Sequence, residues 1–254
     1  MTPITDPWFY VAALPAVFVV GLSKGGFGGT LAMLGVPAMA LVVSPVQAAG
    51  IMLPILVVMD IIALIAYRGE ADRRTLAILL PAAFGGIAVG WATAAYVDDA
   101  FVTLLIGILS LVFVADYLLK KNVASRPAPH SVPKGLIWGT VAGFTSFVSH
   151  TGGPPFQLYT LPLRLAPTLF AGTAVVFFAT VNAVKLVPYF MLGQFDGTNL
   201  MTSLVLLPIA PLATLAGVRL VRIIDANLFY KLIYALMGII GLKLCYDGLA
   251  SFFS

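Results

Sequence analysis

Two short stretches hold most of the residues that could do chemistry. SKGGFGGT, residues 23–30, sets Lys24 among Gly25, Gly26, Gly28 and Gly29, between two apolar runs. SHTGGPPFQ, residues 149–157, sets His150 and Gln157 around Thr151, Gly152, Gly153 and two prolines. Glycine permits a turn and gives close access to backbone N–H groups. After the first glycines, Thr30 can begin a new helix whose free N–H groups and dipole favour an anion. Lys24 adds a full positive charge at the same place. In the second stretch small residues precede a proline, where a helix can begin, and Gln157 falls within the first turn. Two helix N-termini converging with Lys24 and His150 would make an anion site. Each residue also has a plainer reading. Lys24 could snorkel from a shallow turn, the glycines could serve close helix packing, and His150 could hydrogen-bond the turn.

Asp60, Asn182 and Lys185 lie within otherwise apolar runs. Ionisable groups at membrane depth are usually functional or paired, so Asp60 and Lys185 are either a structural ion pair or part of ion coupling. Asn182, Lys185 and Tyr189 follow at one-turn spacing and share a helix face. A histidine's unperturbed pKa near about 6.5 lets it change charge in the physiological range. His150 is then a candidate coupling residue, with Asp60 a relay or the partner of Lys185. Asp116 and Lys243 sit nearer span ends and read as interfacial, and Trp8, Tyr10, Trp91 and Tyr96 as belt residues. The single Cys245 excludes an internal disulfide and a multi-cysteine metal site. No metal and no cofactor is expected.

These residues need elements to position them, and composition says which kind. The chain is 61% hydrophobic and only 9% charged, where a soluble domain carries about 25% charged residues. Apolar runs of membrane length recur throughout, so the reading is an all-α polytopic membrane protein. The net charge of +4 is no argument for nucleic acid. MTPITDPWFY has no basic n-region or cleavage site, so no signal peptide is expected. Six ordinary spans are predicted, at 46–67, 73–96, 99–119, 168–191, 199–218 and 227–250. Two more segments, 8–43 and 134–165, are too long for one crossing and break in the middle. A straight 36-residue helix would run about 54 Å against a core of about 30 Å.

The broken segments occupy matching places because the chain is duplicated. Gly21, Pro45, Gly50, Asp60 and Tyr67 recur 122 residues later as Gly143, Pro167, Gly172, Asn182 and Tyr189. Leu79-Leu80-Pro81, Gly90 and Asp98 recur 127 residues later as Leu206-Leu207-Pro208, Gly217 and Asp225. The first membrane repeat is 1–121, a cytoplasmic linker 122–133, and the second repeat 134–254. Cytoplasmic loops gather Lys and Arg. If every segment crossed once, Arg68, Arg73, Arg74, Lys120, Lys121, Arg126 and Lys134 would face Arg164, Arg219, Arg222 and Lys231 across the bilayer. If each broken segment enters and returns, all 11 fall on one face. The opposite face keeps only Asp6, Asp98, Asp99, Asp196 and Asp247. That second arrangement puts both termini outside. It makes the halves inverted repeats, the plan common among secondary transporters, each a broken re-entrant or hairpin segment with arms of about 14–16 residues plus three transmembrane helices.

GLSKGGFGG followed by a proline-ended helix, and TGGPP in the second half, resemble the TauE/SafE (TSUP) membrane transporters. The resemblance covers the whole chain, since length and duplication also match. It carries over Lys24 and Gly25 to Gly29 from the first motif and Gly152 to Pro155 from the second, but not His150. It implies transport of sulfur-containing anions such as sulfite, sulfoacetate or other sulfonates across the cytoplasmic (inner) membrane, with export the more usual direction. The expected partners are a small anion and the lipid bilayer; a homodimer stays open. The chain is not expected to be an enzyme, and no Walker A pattern appears. An anion channel is the first alternative, an intramembrane enzyme the second, and a retinal protein using Lys185 or Lys243 a distant third.

Overall fold

The computed structural model describes residues 2–93, 99–119 and 127–253, and among them every regular element is helical. Tyr96, Asp98, Lys120, Lys121 and Arg126 lie outside the described residues, as do the side chains of Thr30, Asp99 and Asp116. The helices are α1 (Pro7–Lys24), α2 (Gly35–Met39), α3 (Pro45–Ala66), α4 (Arg73–Thr93), α5 (Asp99–Leu119), α6 (Val132–Ser149), α7 (Gly153–Thr160), α8 (Pro167–Met191), α9 (Gly197–Leu206), α10 (Ile209–Ile223) and α11 (Ala226–Phe253). Their starts follow local chemistry. Asp6 accepts from the Trp8 amide with Pro7 in the first turn, and Ser44 accepts from the Gln47 amide ahead of Pro45. Asp196 and Asp225 cap α9 and α11 in the same way. Five of these helices are long and apolar enough to cross a membrane, and six with α9 and α10 taken as one bent span. The protein is a multi-pass membrane protein.

Two expectations need correction. The span 199–218 is not one helix: α9 and α10 meet at a 49° bend. Pro208 and Pro211 remove two backbone donors within four residues, and the ladder gives way there. The arms of the first broken segment are unequal. Outgoing α1 has 18 residues, about 27 Å, while the return is a five-residue 3-10 segment, Thr30–Leu34, followed by five-residue α2. The second segment repeats this imbalance, with 18 residues in α6 and eight in α7.

The chain forms two compact units, each drawn from both sequence halves. One contains Met1–Asp72 and Thr168–Ile223, the other Arg73–Pro167 and Ile224–Ser254. In the first unit α1 and α10 run parallel, with Gly21 against Ala213, Gly25 against Gly217 and Val218, and Gly26 against Val221. A Cβ on Gly25 would overlap the Thr214 carbonyl oxygen, so this crossing needs a residue without one. In the second unit α4 and α6 are likewise parallel, Ile78 meeting Gly135, Ala82 meeting Gly139 and Gly90 meeting Phe147.

Two further pairs are antiparallel. Within the first unit, Gly50 near the start of α3 meets Gln194 just beyond α8, Asp60 meets Asn182, and Asp72 beyond α3 meets Thr173. Within the second unit, the α5 residues Leu104, Gly107, Leu111 and Val114 meet Gly248, Cys245, Gly241 and Gly238 of α11. As one index rises the other falls. In both cases the partners are the same element of the two sequence halves.

Candidate functional site

The first unit gathers four of the sequence candidates. Lys24 ends α1, and its ammonium lies 2.6 Å from Oδ1 of Asp60 on α3. Oδ2 of Asp60 accepts from Nδ2 of Asn182 on α8, also at 2.6 Å. Lys185 follows Asn182 by one turn, is wholly buried, and is near enough that Lys24 and Asp60 both act on it electrostatically. Lys24 stands 5.3 Å from the Phe178 ring centroid and Lys185 stands 5.8 Å from that of Tyr189. Asn182, Lys185 and Tyr189 are all buried, as a shared inward face requires. Lys24 does not snorkel: with 6% of its surface exposed it is a core residue.

Asp60 therefore has Lys24 and Asn182 as hydrogen-bond partners, and it also acts electrostatically on Lys185, the partner the sequence suggested. A carboxylate has two oxygens with acceptor capacity for both, and the end of α1 brings an ammonium that contact order along the chain gave no hint of. Asp60 and Asn182 also stand 122 positions apart, the offset that relates the two sequence halves in the expected repeat. Identical aspartates there would repel. The Asp/Asn difference between the halves turns the meeting into a charge-assisted hydrogen bond.

The glycine turn is committed differently from its expected role. The amides of Gly25, Gly26 and Gly29 donate to the carbonyls of Gly21, Ser23 and Ser23. Thr30 opens a 3-10 segment, not an α-helix with free amides. The Leu31 amide donates to Ser23 Oγ and the Ala32 amide to the Gly29 carbonyl. The amides of Gly25, Gly26, Phe27, Gly29, Leu31 and Ala32 are thus satisfied within the turn, as buried backbone requires. Gly28 and Gly29 take left-handed backbone, at φ of 63° and 73°. Tyr67 locks the turn, its hydroxyl donating to the Gly25 carbonyl at 2.7 Å. Sequence reasoning missed Phe178 and Ser23. Phe178 lies one turn before Asn182, so extending that face backwards would have found it.

The remaining candidates belong to the second unit. His150 caps the end of α6 with left-handed backbone, φ 55°, and is buried. It stands 122 residues after Gly28, which has the same left-handed backbone, although the residue type differs. That costs a side chain about 1–2 kcal/mol, which marks His150 as held in place by its surroundings. Thr151 donates its amide to the Thr145 carbonyl and accepts from the Thr145 hydroxyl through its own carbonyl. Gly152 is the N-cap of α7, and every residue from Gly153 to Thr160 is buried, Gln157 completely. Pro154 and Pro155 lack N–H groups, so this terminus offers fewer donors than an ordinary one. Beside α7 a cavity of about 680 Å³ is lined by Lys134, Trp138, Leu158, Tyr159 and Pro162 among others.

Of the interfacial candidates, Lys243 pairs with Asp247 at 2.5 Å, half-exposed, and Trp8 and Trp91 are exposed. Among the described residues no group of three or more potential metal ligands occurs. Comparison with curated proteins and with solved structures found no match. The profile of the family described as sulfite exporter TauE/SafE matches residues 13–244, nearly the whole chain. With apolar helices of membrane length and a buried charged cluster where its glycine-rich break folds, the chain belongs to the sulfite exporter TauE/SafE family of membrane transporters.

Proposed function

We propose that the protein is a secondary transporter that exports a small sulfur-containing anion, such as sulfite, sulfoacetate or another sulfonate, across the cytoplasmic membrane. The observation that carries this is the charge of the buried cluster. Lys24, Lys185 and Asp60 bring two amines and one carboxylate into the interior of the first unit. Amines held in a low dielectric are strong ligands for an anion. Lys24, Lys185 and Asn182 are the proposed anion ligands.

The membrane arrangement inferred is the inverted repeat with both termini outside. Its support is the direction of the helix pairs. A chain crossing once per segment would make α3 and α8 parallel, and α5 and α11 parallel. Entering and returning breaks make both pairs antiparallel, which agrees with their contacts. Counterflow in proteoliposomes tests the function. Preloaded sulfite or sulfoacetate should drive uptake of labelled anion that saturates, and Lys185→Met should weaken it about tenfold to a hundredfold, the worth of a charge-assisted contact. Non-saturating conductance would mean a channel, and absence of flux for every sulfur anion would sink the assignment.

A further inference from the structure

We propose that Asp60 is an internal competitor for the substrate anion: it occupies the Lys24 ammonium when no anion is bound, and it must take up a proton to surrender it. This rests on the transport reading above and adds the coupling step.

The geometry supplies three parts of the device. Asp60 already makes with Lys24 the contact a sulfonate would make, a charge-assisted one at 2.6 Å, with both side chains about 5% exposed or less. An incoming anion would therefore meet an ammonium already neutralised and a carboxylate that repels it. Proton and monoanion arriving together leave the buried charge unchanged: Lys24 keeps its proton, Asp60 becomes neutral, and the anion replaces the carboxylate. Either arriving alone changes the buried charge by one, which the low dielectric resists. Finally, Asn182 suits both states. Its Nδ2 donates to the carboxylate, and a turn of the amide offers Oδ1 as acceptor to the carboxylic acid.

Other charges do not confuse the assignment. On α3 itself Asp60 is the only titratable residue, and α2 and α9 carry none. From α1 it faces Lys24, and from α8 Asn182 and Lys185. The arginines of α10 are Arg219 and Arg222, and Arg222 donates to the Ala66 carbonyl at the end of α3 and pairs with Glu70 in the turn beyond it. By linkage, binding that takes up a proton weakens as pH rises.

The test is thermal stabilisation of the purified protein by methanesulfonate, against gluconate at matched ionic strength. Methanesulfonate stays a monoanion over the range used. Wild type should be stabilised at about pH 5 and little at about pH 8, a difference of about tenfold or more in half-maximal methanesulfonate. Asp60→Asn should be stabilised equally at both, and Asp60→Asn/Lys24→Met at neither. An Asp60→Asn protein with the wild-type profile, a double variant still stabilised, a flat profile in His150→Gln, or no methanesulfonate effect in any variant would each overturn the proposal. Should Asp60→Asn fail to fold, infrared difference spectra of wild type decide: added methanesulfonate should bring up a protonated-carboxyl band, and its absence is the overturning result. Counterflow separates the two readings. Flux without an Asp60-dependent profile removes the competitor role alone, and the profile without flux removes transport alone.

Discussion

Lys24 serves two masters, the carboxylate that neutralises it and the anion proposed to replace that carboxylate. Removing one member of a buried pair costs about 3–5 kcal/mol, because the other is left charged. Lys24→Met should therefore lower the melting temperature as well as anion affinity, and Lys24→Met/Asp60→Asn should regain most of the loss, since no charge is then stranded. Equal melting temperatures for the single and double variants in detergent would show that the 2.6 Å contact contributes little. The ionisable residues were legible in the sequence because a charge within an apolar run stands out. Their pairing was not. Lys24 and Asp60 are 36 positions apart and Asp60 and Asn182 are 122 apart, and no local pattern reports such distances. The repeat offset related the last two positions, but related positions touch only where the symmetry axis passes between them.

Helices depend on their neighbours as much as on their own sequence. The tripeptide Leu-Leu-Pro occurs at 79–81 and at 206–208, yet α4 runs unbroken through Pro81 while α9 ends before Pro208. One lost hydrogen bond is tolerated, and the second, at Pro211, tips the balance. A window that scores apolarity sees one span in both places. The glycine breaks were legible as breaks, but not the job of each glycine. Gly25 lets α1 approach α10, whereas Gly28 supplies left-handed backbone. Gly25→Val should cost about 1–3 kcal/mol or more by overpacking the crossing. Gly28→Ala should cost about 1–2 kcal/mol by backbone strain. A further Gly217→Ala should worsen the first, since its Cβ would meet Gly25 and the Leu22 carbonyl, and leave the second unchanged, which thermal unfolding of the double variants can read.

At the scale of the molecule, neither sequence half is a body of its own. Each compact unit takes helices from both halves, and the most extensive helix pairs, α1 with α10, α4 with α6 and α5 with α11, join one half to the other. Residues 1–126 expressed alone should be degraded, and co-expression with residues 127–254 should restore a stable protein; a stable, monodisperse single half would refute this. Membrane topology has its own check. In a Cys245→Ala background, Leu192→Cys should react with an impermeant thiol reagent from outside and Asn227→Cys only from the cytoplasm, and reversal of either undoes the inverted arrangement. The duplication is a reading of the constant spacing of glycine, proline and the polar positions. Which helices exchange partners was not legible there, since pattern fixes periodicity and leaves neighbours open.

On the proposed inverted repeat, the meeting of Asp60 with Asn182 carries a consequence for ancestry. Two separate identical chains, inserted in opposite senses and paired about an axis, would set every axial residue against itself. Such a position can hold two like charges or none, and no single mutation in one gene can give one partner a charge and the other a neutral donor. Joining both copies in one reading frame removes that restriction. The asymmetric hydrogen bond between equivalent positions, and with it one carboxylate held against Lys24, is open only to a chain whose two halves can mutate independently.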